Sequence, residues 1–164
     1  NMELAQQAGL ETGDGIIVDD MLFSSDPDIA AVGDCASFRS LYAPGHCRIE
    51  SVQNALDQPR ALARTLAGTP TIYDALPWFW SDQGGLKLQI AGLSIGADQS
   101  LLRGDVAGGK FSAYRFREGR LVAVESVGRP TDHMTARRIL ASATTVTPAH
   151  IEDEGCDLKS LLAA

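Results

Sequence analysis

No stretch of this chain reaches the roughly 18 consecutive apolar residues that a membrane-spanning helix requires, and no basic segment leading into an apolar one opens it. Neither a bilayer span nor a secretory leader is therefore expected. Cysteine is scarce. Cys35, Cys47 and Cys156 are odd in number and irregular in spacing, which is not a disulfide framework. No Cys-x-x-Cys pair accompanies Cys35, which argues against a redox dithiol. His46 and Cys47 match no zinc spacing, so no metal ligands are assigned. A reducing, cytoplasmic setting is the expectation. Positive charge is in deficit: 14 Lys and Arg against 21 Asp and Glu leave a net charge of −7. A nucleic-acid partner would want a basic face, and this balance opposes it. Internal repeats and low-complexity tracts are missing. So is any Gly-x-Gly-x-x-Gly phosphate loop: Gly84-Gly85 and Gly108-Gly109 lack both the spacing and the strand-to-helix context.

What is present suits a globular protein. Apolar residues make up 45% of the 164, enough for a core without covalent staples, in one ordinary domain or two small ones. Residues 2–8 have a helical pattern, with Gly9 placed to end it. Asp14-Gly15 signals a turn and Ile16-Ile17-Val18 a short strand. Ser24 to Asp28, holding Pro27, reads as a polar turn. Ile29 to Val32 reads as a second short strand that stops at Gly33-Asp34. Phe38 to Cys47 reads as a loop broken at Pro44-Gly45. From Glu50 to Leu66 the pattern is helical, and Pro59 predicts a kink or two helices meeting near Gln58. Gly68 closes this segment, and Thr69-Pro70 marks a boundary.

Beyond residue 70 short strands dominate. Trp78-Phe79-Trp80 opens the stretch, and alternation puts the two tryptophans on one face. Leu86, Leu88 and Ile90 alternate with Lys87 and Gln89. Phe111–Phe116 and Leu121–Val127 are joined by a tight turn at Arg117-Glu118-Gly119-Arg120. Asp132 is expected to cap a helix running to about Ala143, with Met134, Ile139 and Leu140 inward. His133 and His150 are expected at the surface, and short helical pieces near Pro148 and Asp157 end the chain. The fold class is α+β: the end of an α/β unit, then a small antiparallel-sheet domain with helices.

The candidate chemistry begins at Asp34. In α/β folds ligands lie beyond the carboxyl ends of strands. Gly33 allows a close approach of the backbone, and Asp34 offers an acceptor pair for sugar or polyol hydroxyls. Taken alone, Gly-Asp reads first as a strand-end turn with an exposed aspartate. Its surroundings add more. Ser24-Ser25-Asp26-Pro27-Asp28-Ile29-Ala30-Ala31-Val32-Gly33-Asp34-Cys35-Ala36 resembles the second FAD-binding motif of flavoprotein reductases with two dinucleotide-binding domains. Glu50-Ser51-Val52-Gln53-Asn54-Ala55 and Trp78-Phe79-Trp80-Ser81-Asp82-Gln83 follow in the same order. Together they resemble the FAD-dependent NADH:ferredoxin reductases of bacterial oxygenase systems, the putidaredoxin reductase-like family, over nearly the whole chain.

The resemblance implies an organisation. Residues 1–13 would end an NADH-binding domain, 14–68 would be the C-terminal segment of the FAD-binding domain, and 69–164 the reductase C-terminal domain. The N-terminal FAD and NADH domains, with their glycine loops, would precede residue 1. It also implies roles. Gly33 and Asp34 would hold the ribityl chain of FAD. Val52 would present its N–H to the flavin pyrimidine edge, where a helix N-terminus suits a cofactor that gains negative charge. Trp80 would screen the isoalloxazine or line the electron path, unless the aromatics are simple packing. Glu50 is a candidate for the nicotinamide side or a helix-capping carboxylate. No proton-transferring catalytic residue is assigned. The implied partners are NADH and a [2Fe-2S] ferredoxin, docked through Arg60, Arg115, Arg117, Arg120, Arg137 and Arg138 unless these are solvated surface. The 164-residue chain alone is expected to lack reductase activity. Two alternatives stay open: a non-catalytic module for homodimerisation or partner docking, and part of a nitrite or rubredoxin reductase.

Overall fold

The computed structural model describes residues 1–163, which divide between Ala75 and Leu76 into two compact units. The first unit opens with a short helix, α1 (Glu3–Gln7). Four short strands follow: β1 (Thr12–Gly13), β2 (Gly15–Ile17), β3 (Ala36–Ser40) and β4 (Gly45–Arg48). They form one sheet in the order β1-β2-β3-β4. Only β2 and β3 run parallel, with Ile16 opposite Ala36. The long connection between them is anchored by Leu22, which is fully buried. It is pinned locally by Asp19, whose Oδ1 accepts the Met21 and Phe23 N–H groups, each at 2.9 Å. A long helix, α2 (Val52–Leu66), completes the unit. Val18, Leu22, Phe38, Ile49, Ala61 and Tyr73 form its buried apolar interior. Phe38 and Tyr73 meet edge to face at 5.3 Å.

Three expectations for this unit are corrected. Ile29–Val32 is not a strand. The segment makes a single bridge, Phe23 with Ala30, because the Asp26–Asp28 turn and the turn at Gly33 leave too few residues between them for a ladder. Phe38–Cys47 is not a loop but the antiparallel hairpin of β3 and β4, with Phe38 opposite Cys47. Pro44-Gly45 supplies its turn rather than a break. And α2 is one helix through Pro59, so of the kink or two helices expected near Gln58 it is the two-helix alternative that fails. Proline forfeits the bond to the carbonyl of residue 55, yet side chains in the turns before it anchor the helix. Asn54 Nδ2 donates to the Ile49 carbonyl at 2.9 Å, and Gln58 Oε1 accepts the Gly33 N–H at 2.7 Å.

The second unit is a five-stranded antiparallel sheet in the order β5-β6-β9-β8-β7. Its strands are β5 (Trp78–Gln83), β6 (Leu86–Gly92), β7 (Gln99–Asp105), β8 (Lys110–Arg117) and β9 (Arg120–Val127). The expected turn at Glu118-Gly119 joins β8 to β9. Two helices, α3 (Pro130–Leu140) and α4 (Pro148–Glu152), follow. Ala91, Tyr114, Phe116 and Val124 of the sheet pack with Ala136 and Ile139 of α3, Val146, Ile151 of α4, and Leu158. Strand β7 was not expected. It is a half-exposed edge strand carrying Gln99, Ser100, Arg103, Gly104 and Asp105, which hide the apolar alternation.

Helix α3 keeps Ile139 and Leu140 toward the core as expected, but not Met134. Ala136 and Ile139 face inward as a core stripe, but Met134 is 55% exposed and His133 only 1% exposed. The stripe follows positions 133, 136 and 139 at helical spacing, with Leu140 partly buried beside it. Asp132 is not the cap. Arg129 occupies that position with Pro130 next to it, and the helix stops at Leu140 rather than Ala143. The Asp132 carboxylate instead receives Arg129 Nε at 2.6 Å and Ser112 Oγ at 2.8 Å.

Candidate functional site

Gly33, Asp34 and Cys35 form a single 3-10 turn leading straight into β3. Gly33 is buried and lies at φ +77°, a left-handed conformation that glycine adopts without strain. The turn rests on α2. A Cβ at Gly33 would sit 3.8 Å from Ala55, and the Gly33 N–H is taken by the fully buried Gln58 side chain. The backbone of the turn is thus fixed while the Asp34 side chain is exposed. An exposed carboxylate on an immobilised turn offers acceptors to an incoming hydroxyl at low entropic cost.

The helix beneath it begins at Val52. Ser51 is the cap, its Oγ accepting the Asn54 N–H at 3.1 Å. The opening N–H groups of a helix have no partner inside it, and Ser51 takes only one of them. The Val52 N–H is therefore available to an acceptor, and Val52 itself is 57% exposed. Glu50 precedes the cap, and its carboxylate is ion-paired with Arg48. The same guanidinium reaches Asp14 Oδ1 at 3.1 Å and donates to the Asp34 carbonyl at 3.2 Å. Behind the site, Tyr73 donates to Asn54 Oδ1 at 3.1 Å. Burial, helped by the charge of Asp57, pushes its phenol up to about 12, so it stays a neutral donor.

In the second unit Trp80 is 44% exposed. It stacks on Trp78 with ring centroids 5.6 Å apart, as their shared face requires. Arg137 lies over the Trp78 ring at 4.3 Å, a cation–π contact. His133 packs against the same ring at 6.3 Å. Its burial, then the charge of Arg137, lowers its pKa, so the imidazole is neutral in the fold. The candidate docking arginines are partly engaged. Arg115 pairs with Glu125 at 2.6 Å, Arg117 donates to the Ile95 carbonyl at 3.2 Å, and Arg60 in the first unit pairs with Asp57 at 3.1 Å.

Gly33, Asp34, Glu50 and Val52 are therefore assembled in the first unit around the opening of α2, and Trp80 belongs to the second. Arg48, Ser51 and Gln58 were missed by sequence reasoning. Ser51 carried a usable signal, a serine immediately before a helical run. Arg48 and Gln58 carried none, since the partners that tie them to the 3-10 turn are 14 and 25 residues away.

Residues 78–162 match the family described as Reductase C-terminal. This chain belongs to that family. Residues 1–58 match the Pyridine nucleotide-disulphide oxidoreductase family. The rhodocoxin reductase of Rhodococcus erythropolis is 49% identical over 163 residues, which are 99% of this chain and 38% of that protein. The crystal structure of the ferredoxin reductase for the CYP199A2 system from Rhodopseudomonas palustris superposes with a TM-score of 0.91 at 51% identity, covering 98% of this chain and 40% of that one. A chain in the covalent putidaredoxin reductase–putidaredoxin complex gives 0.92 at 41% identity, covering 99% and 39%. The α+β reading and the family resemblance both stand. The chain spans about two fifths of the length of these proteins.

Proposed function

We propose that this chain is the C-terminal part of a FAD-dependent reductase that passes electrons from NADH through FAD to a [2Fe-2S] ferredoxin of an oxygenase system. One observation carries the reading. An exposed carboxylate, Asp34, stands on a glycine turn locked against the opening of α2, whose first N–H groups have no intrahelical partner. That donor–acceptor set fits a flavin. Asp34 would accept from ribityl hydroxyls, Gly33 would admit the cofactor close to the backbone, and the Val52 N–H would donate to the pyrimidine edge. FAD, when bound, supplies the hydride-accepting and single-electron chemistry. The helix N-terminus favours the negative charge that arrives on reduction.

Trp80, an exposed aromatic stacked on a second one, is our candidate to screen the isoalloxazine or line the exit toward the ferredoxin. The ferredoxin partner is supported by the complex formed by the structurally similar putidaredoxin reductase. A cytoplasmic setting belongs to the same reading and is supported by three unpaired cysteines. Among the described residues, no helix is long and apolar enough to cross a membrane.

The test compares the intact reductase with the 164-residue chain. The intact protein is expected to catalyse NADH-dependent reduction of a [2Fe-2S] ferredoxin, followed by the spectrum of the cluster. The chain alone is expected to stay colourless with FAD and to reduce nothing. An intact protein that ignores both NADH and ferredoxin would overturn the proposal.

A further inference from the structure

Resting on the flavin reading, we infer that Arg48 is a positioning residue that assembles the cofactor clasp and balances the charge at the opening of α2. Its guanidinium joins three segments that are distant in sequence. It meets Asp14 in the β1–β2 turn, the Asp34 carbonyl in the 3-10 turn, and Glu50 immediately before the helix cap. The space it occupies is opened by a glycine. A Cβ at Gly15, which lies at φ +107°, would stand 3.0 Å from Arg48 Cδ and 2.7 Å from the Cys35 carbonyl oxygen.

Stability alone does not explain the arrangement. Side chains of Asp14 and Glu50 are 79% and 62% exposed, and pairs so exposed add little to folding. Geometry and charge do explain it. The Asp34 carbonyl belongs to the residue whose carboxylate is to hold the ribityl chain, so a donor on that carbonyl fixes the turn from behind. Glu50 would otherwise place an uncompensated negative charge beside the helix N-terminus and weaken its pull on an anion. Arg48 neutralises that charge where it stands. Hydrogen bonds to Glu50 first, then to Asp14, push the guanidinium pKa up, so the cation persists at every working pH.

The test uses the intact, flavin-loaded reductase with the variants Arg48→Gln, Arg48→Lys, Glu50→Gln and the double Arg48→Gln/Glu50→Gln. FAD affinity is read from flavin fluorescence and the midpoint potential by spectroelectrochemistry. Arg48→Gln is expected to weaken FAD about tenfold, the size of one lost charge-assisted hydrogen bond, and to lower the potential. Arg48→Lys keeps the charge and so the potential, but not the full affinity. Glu50→Gln raises the potential, and the double variant returns it close to wild type. A merely structural arginine would not give opposite signs that cancel. Wild-type affinity and potential in Arg48→Gln, while Asp34→Asn loses FAD, would overturn this inference and leave the flavin reading standing. Wild-type affinity in Asp34→Asn would instead sink the flavin reading. Should Arg48→Gln fail to fold, an unchanged or lowered potential in Glu50→Gln would be enough to reject the inference.

Discussion

Gly33 is held at φ +77° with its N–H on Gln58, and the position of its missing Cβ faces only Ala55 at ordinary contact distance. Gly33→Ala therefore creates no clash; its whole effect is backbone strain. A left-handed alanine costs roughly 1–2 kcal/mol, so the unfolding free energy from urea titration is expected to fall by that amount and the midpoint to move to lower urea, with weaker flavin binding in the intact protein. An unchanged midpoint would mean that the turn is free to rearrange. At this scale the sequence singled out Asp34 and Val52 as candidates because each sits inside a contiguous motif. It hid Gln58 and Arg48 because what they do depends on contacts made only when α2 and the 3-10 turn meet. Glu50 read as a capping carboxylate for a similar reason: the cap is Ser51 beside it, and the Glu50 charge is spent on Arg48.

Among the elements, α3 shows what periodicity can and cannot fix. Its existence and its inward Ile139 and Leu140 were legible from the apolar spacing, but the inward residue of its earlier turn was not, because Met134 and His133 are neighbours and hydropathy prefers the methionine inside. The fold buries the histidine instead, against Trp78 and near Arg137. This has a pH consequence. A buried His whose pKa is depressed in the fold binds its proton more readily when unfolded. Stability should therefore be level above about pH 6.5, the ordinary histidine value, and should decline as the pH falls below it toward the lower folded-state pKa. His133→Met should flatten that decline below about pH 6.5 in thermal unfolding scans. The same slope in both proteins would show that His133 is protonated in the fold. Strands β3, β4 and β7 escaped the sequence because they are short or edge strands, whose partners rather than their own patterns make them strands.

For the whole molecule, the two family matches fall one on each compact unit, residues 1–58 in the first and 78–162 in the second. The order of motifs suggested boundaries after residues 13 and 68 because each motif is short, contiguous and tied to a particular chemistry. Net charge was a poorer guide. It gave −7 for the chain as a whole, whereas the structure shows, arginine by arginine, that several candidates already serve internal contacts. A docking surface for an acidic ferredoxin cannot be read from a count of arginines.

The central claim is that Asp34 clasps a flavin, and the most direct test is the FAD dissociation constant of the intact reductase with and without Asp34→Asn. The substitution keeps the shape and removes the charge. Hydrogen bonds to a charged acceptor contribute about 1.5–3 kcal/mol, so affinity is expected to fall by roughly tenfold or more. Equal dissociation constants for the two proteins would contradict the account.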